Sequence, residues 1–153
     1  MTYRDLQEFI HLNGITNYAV LKKVCLVGMM IVLGLRPSSI GKTVKSFDGM
    51  LLSDVKIRYE QENGKYRIQF RVRHEKQLPG NKIENNLPFL IDETVMNEPL
   101  FINESYKGDG LQAVAKSYIT NAVKDIAQGI GVPRRMVSAK SPRRVSFVKY
   151  QRT

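Results

Sequence analysis

The stretch "VCLVGMMIVLGLRPSSI", residues 24–40, decides the fold, because it ends the most apolar run of the chain with a permanent cation. Its first twelve residues are almost all apolar. An apolar run of this length is too short to span a bilayer and is typical of a buried helix. We predict that this helix begins near Asn17 and ends at Leu33. Arg36 follows it directly, and Pro37 suits the first turn of another short helix, which we expect to end near Lys45.

A shorter helix is predicted before this segment. Thr2 and Asp5 form a capping pair, so the first helix should begin at Tyr3 and end near Leu12. Asn13-Gly14 is a turn signal that ends it.

The spacing of the apolar residues changes from a helical to an alternating pattern after these helices. The stretch "VKIRYEQENGKYRIQFRVRHEK", residues 55–76, alternates in polarity, and Asn63-Gly64 in its middle predicts a β-hairpin. Its apolar face should cover a core, and it contains Val55, Ile57, Tyr59, Tyr66, Ile68, Phe70 and Val72. The opposite face is a predicted basic surface, with Lys56, Arg58, Arg67, Arg71 and Arg73.

The second half of the chain completes an α+β domain. "NNLPFLI", residues 85–91, is a candidate third strand, and Pro88 places it at a sheet edge. Residues 92–110 read as a connector between two lobes, and the helical period returns over 111–128. We therefore predict one domain over residues 1–153, mainly helical, with a small three-stranded antiparallel sheet at one side.

The composition points to a polyanionic partner. The formal net charge is +10 and the isoelectric point is about 9.8, which favours nucleic acid first and an anionic membrane surface second. Cys25 is the single cysteine, so no internal disulfide can form, and we expect it to pack in the core. Two histidines without further cysteines predict no zinc site, and the chain suggests no metal or other cofactor.

Four strings follow one another along the chain: "GLRPSSI" (34–40), "LLSDVKI" (51–57), "VRHEKQLPGNKIENNLPFLI" (72–91) and "VKDIAQGIGVPRRMVSAKSPRR" (123–144). In this order they resemble the catalytic core of the tyrosine recombinases, the phage-integrase type of site-specific recombinase. The strings are similar to that family's first arginine box, the segment entering its small sheet, its strand–turn–strand with the catalytic lysine, and its His-x-x-Arg box. The fold that this resemblance implies is the catalytic domain of a divergent, mobile-element-like member.

The resemblance also implies a catalytic set. Arg36 and Arg143 take the places of the two arginines that hold the scissile phosphate, and Lys140 takes the histidine place. Lys76 takes the place of the lysine that protonates the leaving 5′ oxygen, although Lys82 competes for that role. Such arginines match phosphate oxygens bidentately and neutralise charge that grows in the transition state.

Further residues are predicted to contact DNA, mainly through its phosphates. They are Ser38, Ser39, Lys56, Arg58, Arg67, Arg71, Arg73, Lys82, Arg134, Arg135 and Arg144. Arg144 is also the register-shifted alternative to Arg143. Ordinary roles compete with these assignments: Arg36 could pair with a carboxylate at a helix end, and Lys76 could be a solvated hairpin lysine.

The chain departs from the family pattern near its end. The family nucleophile is a tyrosine some tens of residues beyond the second arginine, whereas Tyr150 lies seven residues beyond Arg143 and is not expected to serve. Ile40 stands where a glutamate is common. The chain is therefore expected to be either a fragment without its nucleophile, inactive alone, or a remnant that binds DNA without cutting it.

The predicted function is the DNA-binding catalytic core of a tyrosine-type recombinase or integrase, which clamps a phosphodiester for strand cleavage and exchange. Type IB topoisomerases share this chemistry. The alternative is a non-catalytic basic DNA-binding module with the same fold, and a weaker third hypothesis is an RNA-binding or ribosome-associated domain. The expected partners are double-stranded DNA and copies of the chain itself, a tetramer in the family, with no membrane. The protein is expected inside the cell with the DNA, in the nucleus of a eukaryote and in the cytoplasm or nucleoid otherwise.

Overall fold

A computed structural model of the chain describes residues 1–42, 49–72 and 98–142. Its helices are α1 (Tyr3–Asn13), α2 (Tyr18–Leu33), α3 (Pro37–Ile40) and α4 (Lys116–Gly129). Two short 3₁₀ turns cover Leu52–Asp54 and Arg134–Met136, and the strands are β1 (Val55–Glu60) and β2 (Lys65–Phe70). This is a mixed helix and antiparallel-strand architecture, which confirms the α+β class.

The predicted start of α1 is confirmed. Thr2 Oγ1 accepts a hydrogen bond from the Asp5 N–H at 3.1 Å, and the Asp5 carboxylate accepts one from the Thr2 N–H at 2.7 Å. This reciprocal capping box satisfies two N–H groups that the first turn would otherwise leave without partners. Gly14 ends the helix with a φ of 71°, a positive value that favours glycine.

The predicted bounds of α2 are confirmed, but one prediction about its faces is wrong. Asn17 caps it, and Gly34 closes it in the left-handed region. Leu26 and Met30 are completely buried in the core, whereas Cys25 is exposed. An uninterrupted apolar run has no polar stripe that indicates which side faces solvent, so the sequence could not place Cys25.

Helix α3 begins at Pro37 as predicted and ends at Ile40, earlier than the predicted Lys45. Beyond it the chain is extended and crosses close to the start of α4. A Cβ on Gly41 would lie 2.6 Å from the carbonyl oxygen of Val114, so only glycine fits without a shift. The Lys42 N–H then donates to that same carbonyl at 2.8 Å.

Helix α4 closes the core against α1 and α2. Its buried face is Ile119, Ala122, Val123, Ile126 and Ala127. The helix begins at Lys116, later than the predicted Leu111, because the backbone just before it makes extended contacts instead. Ala113 forms a bridge with Ile102, and the Val114 N–H donates to the Phe101 carbonyl at 3.0 Å.

The predicted connector is described over residues 98–110, and part of it lies in the core. Phe101 is only 7% exposed, and Pro99 forms a bridge with Leu51. Residues 104–111 are exposed. Within the described ranges no helix is long and apolar enough to cross a bilayer.

The hairpin is confirmed, but its apolar face is not covered as predicted. In the described residues the sheet has two strands, with Val55 opposite Phe70, and the candidate third strand at 85–91 lies outside them. Val55 and Phe70 pack against the core, whereas four residues farther along the same face are 49–70% exposed: Ile57, Tyr59, Tyr66 and Ile68. Alternation reports which residues share a face, but not how far along a ribbon the core extends.

Candidate nucleic-acid interface

Arg36 lies at a rigid junction between two helices. Gly34 ends α2 in the left-handed conformation, and Leu35 is only 2% exposed. Arg36 itself is half-buried in extended conformation, and its carbonyl accepts a hydrogen bond from the Ser39 N–H at 2.9 Å. Pro37 is the first residue of α3, and its ring fixes its φ angle directly after Arg36. The backbone therefore fixes the position of the Arg36 Cα, from which the side chain extends.

The charge of Arg36 is not neutralised by any residue that the structure describes. No carboxylate of residues 1–42, 49–72 or 98–142 lies within 4.0 Å of its guanidinium. Of the two serines predicted beside it, Ser38 is exposed, whereas Ser39 is buried and interacts within the chain. Ser38 is therefore the one presented at the surface for an anion.

Three predicted DNA-binding arginines pair with carboxylates. Arg67 Nε lies 2.7 Å from Glu60 Oε1, and Arg71 Nε lies 2.8 Å from Asp54 Oδ1. Arg134 donates to Asp125 and, at 3.2 Å, to Gln128. These side chains are partly committed to the fold.

The other predicted cations that the structure describes differ in exposure. Arg58, Arg135 and Lys140 are exposed and form no ion pair with the residues described. Lys56 is half-buried and has an interaction within the chain. The exposed group is the part of the predicted set that is available to phosphates.

Lys140 lies in a turn that internal hydrogen bonds hold. Its own N–H donates to Ser138 Oγ at 3.3 Å, and the Ser138 N–H donates to Ser141 Oγ at 2.9 Å. The amino group of Met1 reaches the Ser141 carbonyl at 3.5 Å, which ties this turn to the N-terminus of α1.

Asp125 links three elements of the fold. Its carboxylate accepts from Lys23 of α2 at 2.9 Å and also from Arg134 beyond α4. Burial tends to raise its pKa, but the hydrogen bonds and charges of Lys23 and Arg134 outweigh that effect, so the pKa lies below the ordinary value. Asp125 thus holds Arg134 in place.

Several predicted residues lie outside the described ranges. They are Arg73, Lys76, Lys82, Arg143, Arg144 and Tyr150. The convergence of Arg36, Lys76 and Arg143 around one phosphate therefore stays a prediction.

A second feature, which no sequence pattern predicts, is a cavity of about 470 Å³ between α2 and α4. Lys22 lines it and is only 7% exposed. Its ammonium group donates to the Ile102 carbonyl, lies 3.6 Å from Glu104 and sits 4.8 Å from the Tyr118 ring centre. The charge is satisfied internally, so Lys22 fastens the 98–110 segment to α2.

The described residues include no group of three or more histidines, cysteines or carboxylates arranged to hold a metal ion. Comparison with protein-family models, with curated proteins and with solved structures found no match to this chain. The resemblance to tyrosine recombinases therefore rests on the four sequence strings.

Proposed function

We propose that this chain binds double-stranded DNA through its phosphates, as the core of a tyrosine-recombinase-type enzyme in which Arg36 holds the scissile phosphodiester. The observation that carries this proposal is the state of Arg36. It is half-buried on a rigid junction, and no described carboxylate neutralises it. A partly desolvated guanidinium is stabilised by an anion, and a phosphate offers two oxygens to its parallel N–H donors.

The surroundings of Arg36 favour a positioned charge over a general one. Helix α2, which packs one face in the core, precedes it, and Pro37 begins the next helix directly after it. Phosphoryl transfer depends on accurate placement of charge near the reacting phosphate, which a stiff backbone provides. Ser38, exposed in α3, is a second hydrogen-bond donor near the same anion.

The other exposed cations would supply sequence-independent affinity. Arg58, Arg135 and Lys140 belong to a chain of net charge +10. Contacts of this kind release counterions from DNA, so they make binding strongly dependent on salt.

By the resemblance, Lys140 and Arg143 would complete the phosphate site and Lys76 would act as the acid. A family member attacks the phosphodiester with tyrosine without a metal, in a tetramer on intracellular DNA.

The DNA-binding part of the proposal is tested with a labelled duplex and fluorescence anisotropy between 50 and 200 mM salt. Arg36→Gln is compared with Arg4→Gln, which removes the same charge from an exposed position on α1. We expect Arg36→Gln to weaken binding about tenfold, as for a hydrogen bond to a charged group, and Arg4→Gln to change it less than twofold. Equal effects of both variants would remove Arg36 from the site.

The cleavage part is tested with a nicked duplex that traps covalent protein–DNA intermediates. Tyr150 is not expected to serve as the nucleophile, so the chain tested by itself should form no adduct. In a version to which a segment with a nucleophilic tyrosine has been added, an adduct that Arg36→Gln abolishes supports the recombinase function. Salt-dependent binding of that version without any adduct supports the alternative, a non-catalytic DNA-binding module of the same fold.

A further inference from the structure

The outer part of the hairpin presents an apolar and aromatic surface to solvent. Ile57 is 66% exposed, Tyr59 52%, Tyr66 70% and Ile68 49%. The register places Tyr59 opposite Tyr66 and Ile57 opposite Ile68, so the four side chains share one face of the ribbon. We call this surface the tyrosine face. Contiguous exposed apolar surface of this kind marks an interaction site in soluble proteins.

The two tyrosine rings support each other. Their centroids lie 5.1 Å apart with the planes inclined at 55°, within the range of favourable tilted aromatic pairs. Both rings are nevertheless more than half exposed. A pair of this kind offers a preoriented aromatic surface to a flat ligand such as a nucleic-acid base, and base–aromatic stacking tolerates any base.

Charge indicates which flat ligand fits. The same hairpin carries four cations against two carboxylates: Lys56, Arg58, Lys65 and Arg67, against Glu60 and Glu62. Arg58 and Lys65 are exposed, and neighbouring strands lie only about 5 Å apart, so long side chains of the opposite face can reach the edges of so narrow a ribbon. Aromatic rings flanked by cations complement a strand that has both bases and phosphates.

We propose that the tyrosine face binds unpaired bases of single-stranded nucleic acid, which stack on Tyr59 and Tyr66 while Arg58 and Lys65 approach the adjacent phosphates. Bases in a duplex are stacked on one another and present no free ring faces, so this mode differs from the duplex binding assigned to Arg36. It goes beyond the proposed function and does not depend on it. The alternation of polar and apolar residues alone predicts that these tyrosines face the core. Their exposure in the structure is what makes stacking on a ligand possible.

The test measures binding of the full chain to labelled 12-nucleotide strands of thymidine and of uridine, and to a 12-base-pair duplex. Stacking is worth enough that Tyr66→Ala should weaken single-strand binding at least fivefold, whereas Tyr66→Phe, which keeps the ring, should stay within twofold. Tyr18→Ala is the matched control, since Tyr18 is 67% exposed on α2 and should have no effect. Equal losses for thymidine and uridine strands identify stacking as the shared chemistry, and a loss confined to one indicates contacts to its sugar or base.

The chain has no tryptophan, so intrinsic fluorescence reports its seven tyrosines directly. Quenching by the thymidine strand should occur in the wild type and fall in Tyr59→Phe/Tyr66→Leu, a variant that keeps apolar surface at both positions and should remain folded. Three results would overturn the proposal: unchanged single-strand affinity in Tyr66→Ala, an equal loss in Tyr18→Ala, or self-association abolished by Tyr66→Ala with strand binding intact. The last would show that a second copy covers the face. Loss of single-strand binding in Tyr66→Ala with duplex binding intact would support this mode, whatever the outcome for Arg36.

Discussion

The Arg71 guanidinium donates through Nε to the completely buried carboxylate of Asp54 at 2.8 Å. The other carboxylate oxygen of Asp54 accepts from the Leu51 N–H at 2.9 Å, and the Arg71 N–H donates to the Asp54 carbonyl at 2.8 Å. Asp54 therefore joins the entry of β1 to the residue after β2. These contacts anchor the end of the hairpin that lies against the core, whereas the outer part of the hairpin is exposed.

Removal of Asp54 should strongly destabilise the fold. Asp54→Ala leaves the partly buried Arg71 charge and the Leu51 N–H without their carboxylate, so we expect a loss of about 3–5 kcal/mol in the free energy of unfolding. Glu60→Ala, which breaks the more exposed pair with Arg67, should cost less than about 1 kcal/mol. Urea unfolding followed by circular dichroism measures both, and similar losses in the two variants would contradict this role of Asp54.

Acid should weaken the link between α2, α4 and the Arg134–Met136 turn. The pKa of Asp125 lies below its ordinary value, so its charged form stabilises the fold fully above the unfolded value of about 3.9, and this contribution is lost as pH falls through the folded pKa. Each pair is about a third exposed, so Asp125→Asn should cost less than about 2 kcal/mol at pH 7. The difference from wild type should shrink toward pH 3 in thermal melts. A difference that does not change with pH would show that the charge of Asp125 is not its source.

Helix ends and turns that depend on neighbouring residues were predicted correctly from the sequence, whereas those that depend on contacts between distant residues were not. Thr2 and Asp5 specify a cap through neighbouring groups, and Asn63-Gly64 specifies a turn, so the structure reproduces both. The end of α3 depends instead on the approach of Gly41 to Val114, two residues that are far apart in sequence. No local signal reports such a contact.

The sequence was sufficient to predict which cations belong to the candidate site, but not which of them form ion pairs with carboxylates of the same chain. Arg58 and Arg67 are equivalent in the sequence pattern, yet Arg67 pairs with Glu60 and Arg58 has no described ion-pair partner. Arg134 likewise pairs with Asp125, nine residues away. Which charge remains for a ligand depends on tertiary distances, and these are absent from composition and alternation.

Gly41→Ala should loosen the contact between the end of α3 and the start of α4. The new Cβ would meet the Val114 carbonyl at 2.6 Å and Ile119 Cδ1 at 2.8 Å, so the backbone must shift, at a cost of about 1–3 kcal/mol. Gly28→Ala is the control, since its Cβ meets Leu6 at an ordinary 3.4 Å inside α2 and should stabilise the helix by up to about 1 kcal/mol. Thermal unfolding should therefore shift in opposite directions, and an unshifted Gly41→Ala would contradict the close approach.

Cys25 should react with a thiol reagent in the folded protein. It is exposed and is the single cysteine, so one equivalent should be modified without denaturant. Partial burial raises the pKa of its thiol, which lowers the thiolate fraction, so the rate at pH 7.5 should be below that of a free thiol and rise as pH increases. Cys25→Ser gives the blank. Modification that requires urea would restore the core position predicted from the sequence.

Release of Arg67 from its carboxylate should strengthen DNA binding. Glu60→Gln removes the charge 2.7 Å from the Arg67 guanidinium but keeps the side-chain shape, so one more cation becomes available to a phosphate. Glu8→Gln changes net charge equally on α1, where Glu8 has no ion pair among the described residues. We expect Glu60→Gln to raise duplex affinity several-fold more than Glu8→Gln and to steepen the plot of log affinity against log salt by up to about one. If the two variants bind alike at every salt concentration, the hairpin cations do not contact the DNA and only the net charge of the protein matters.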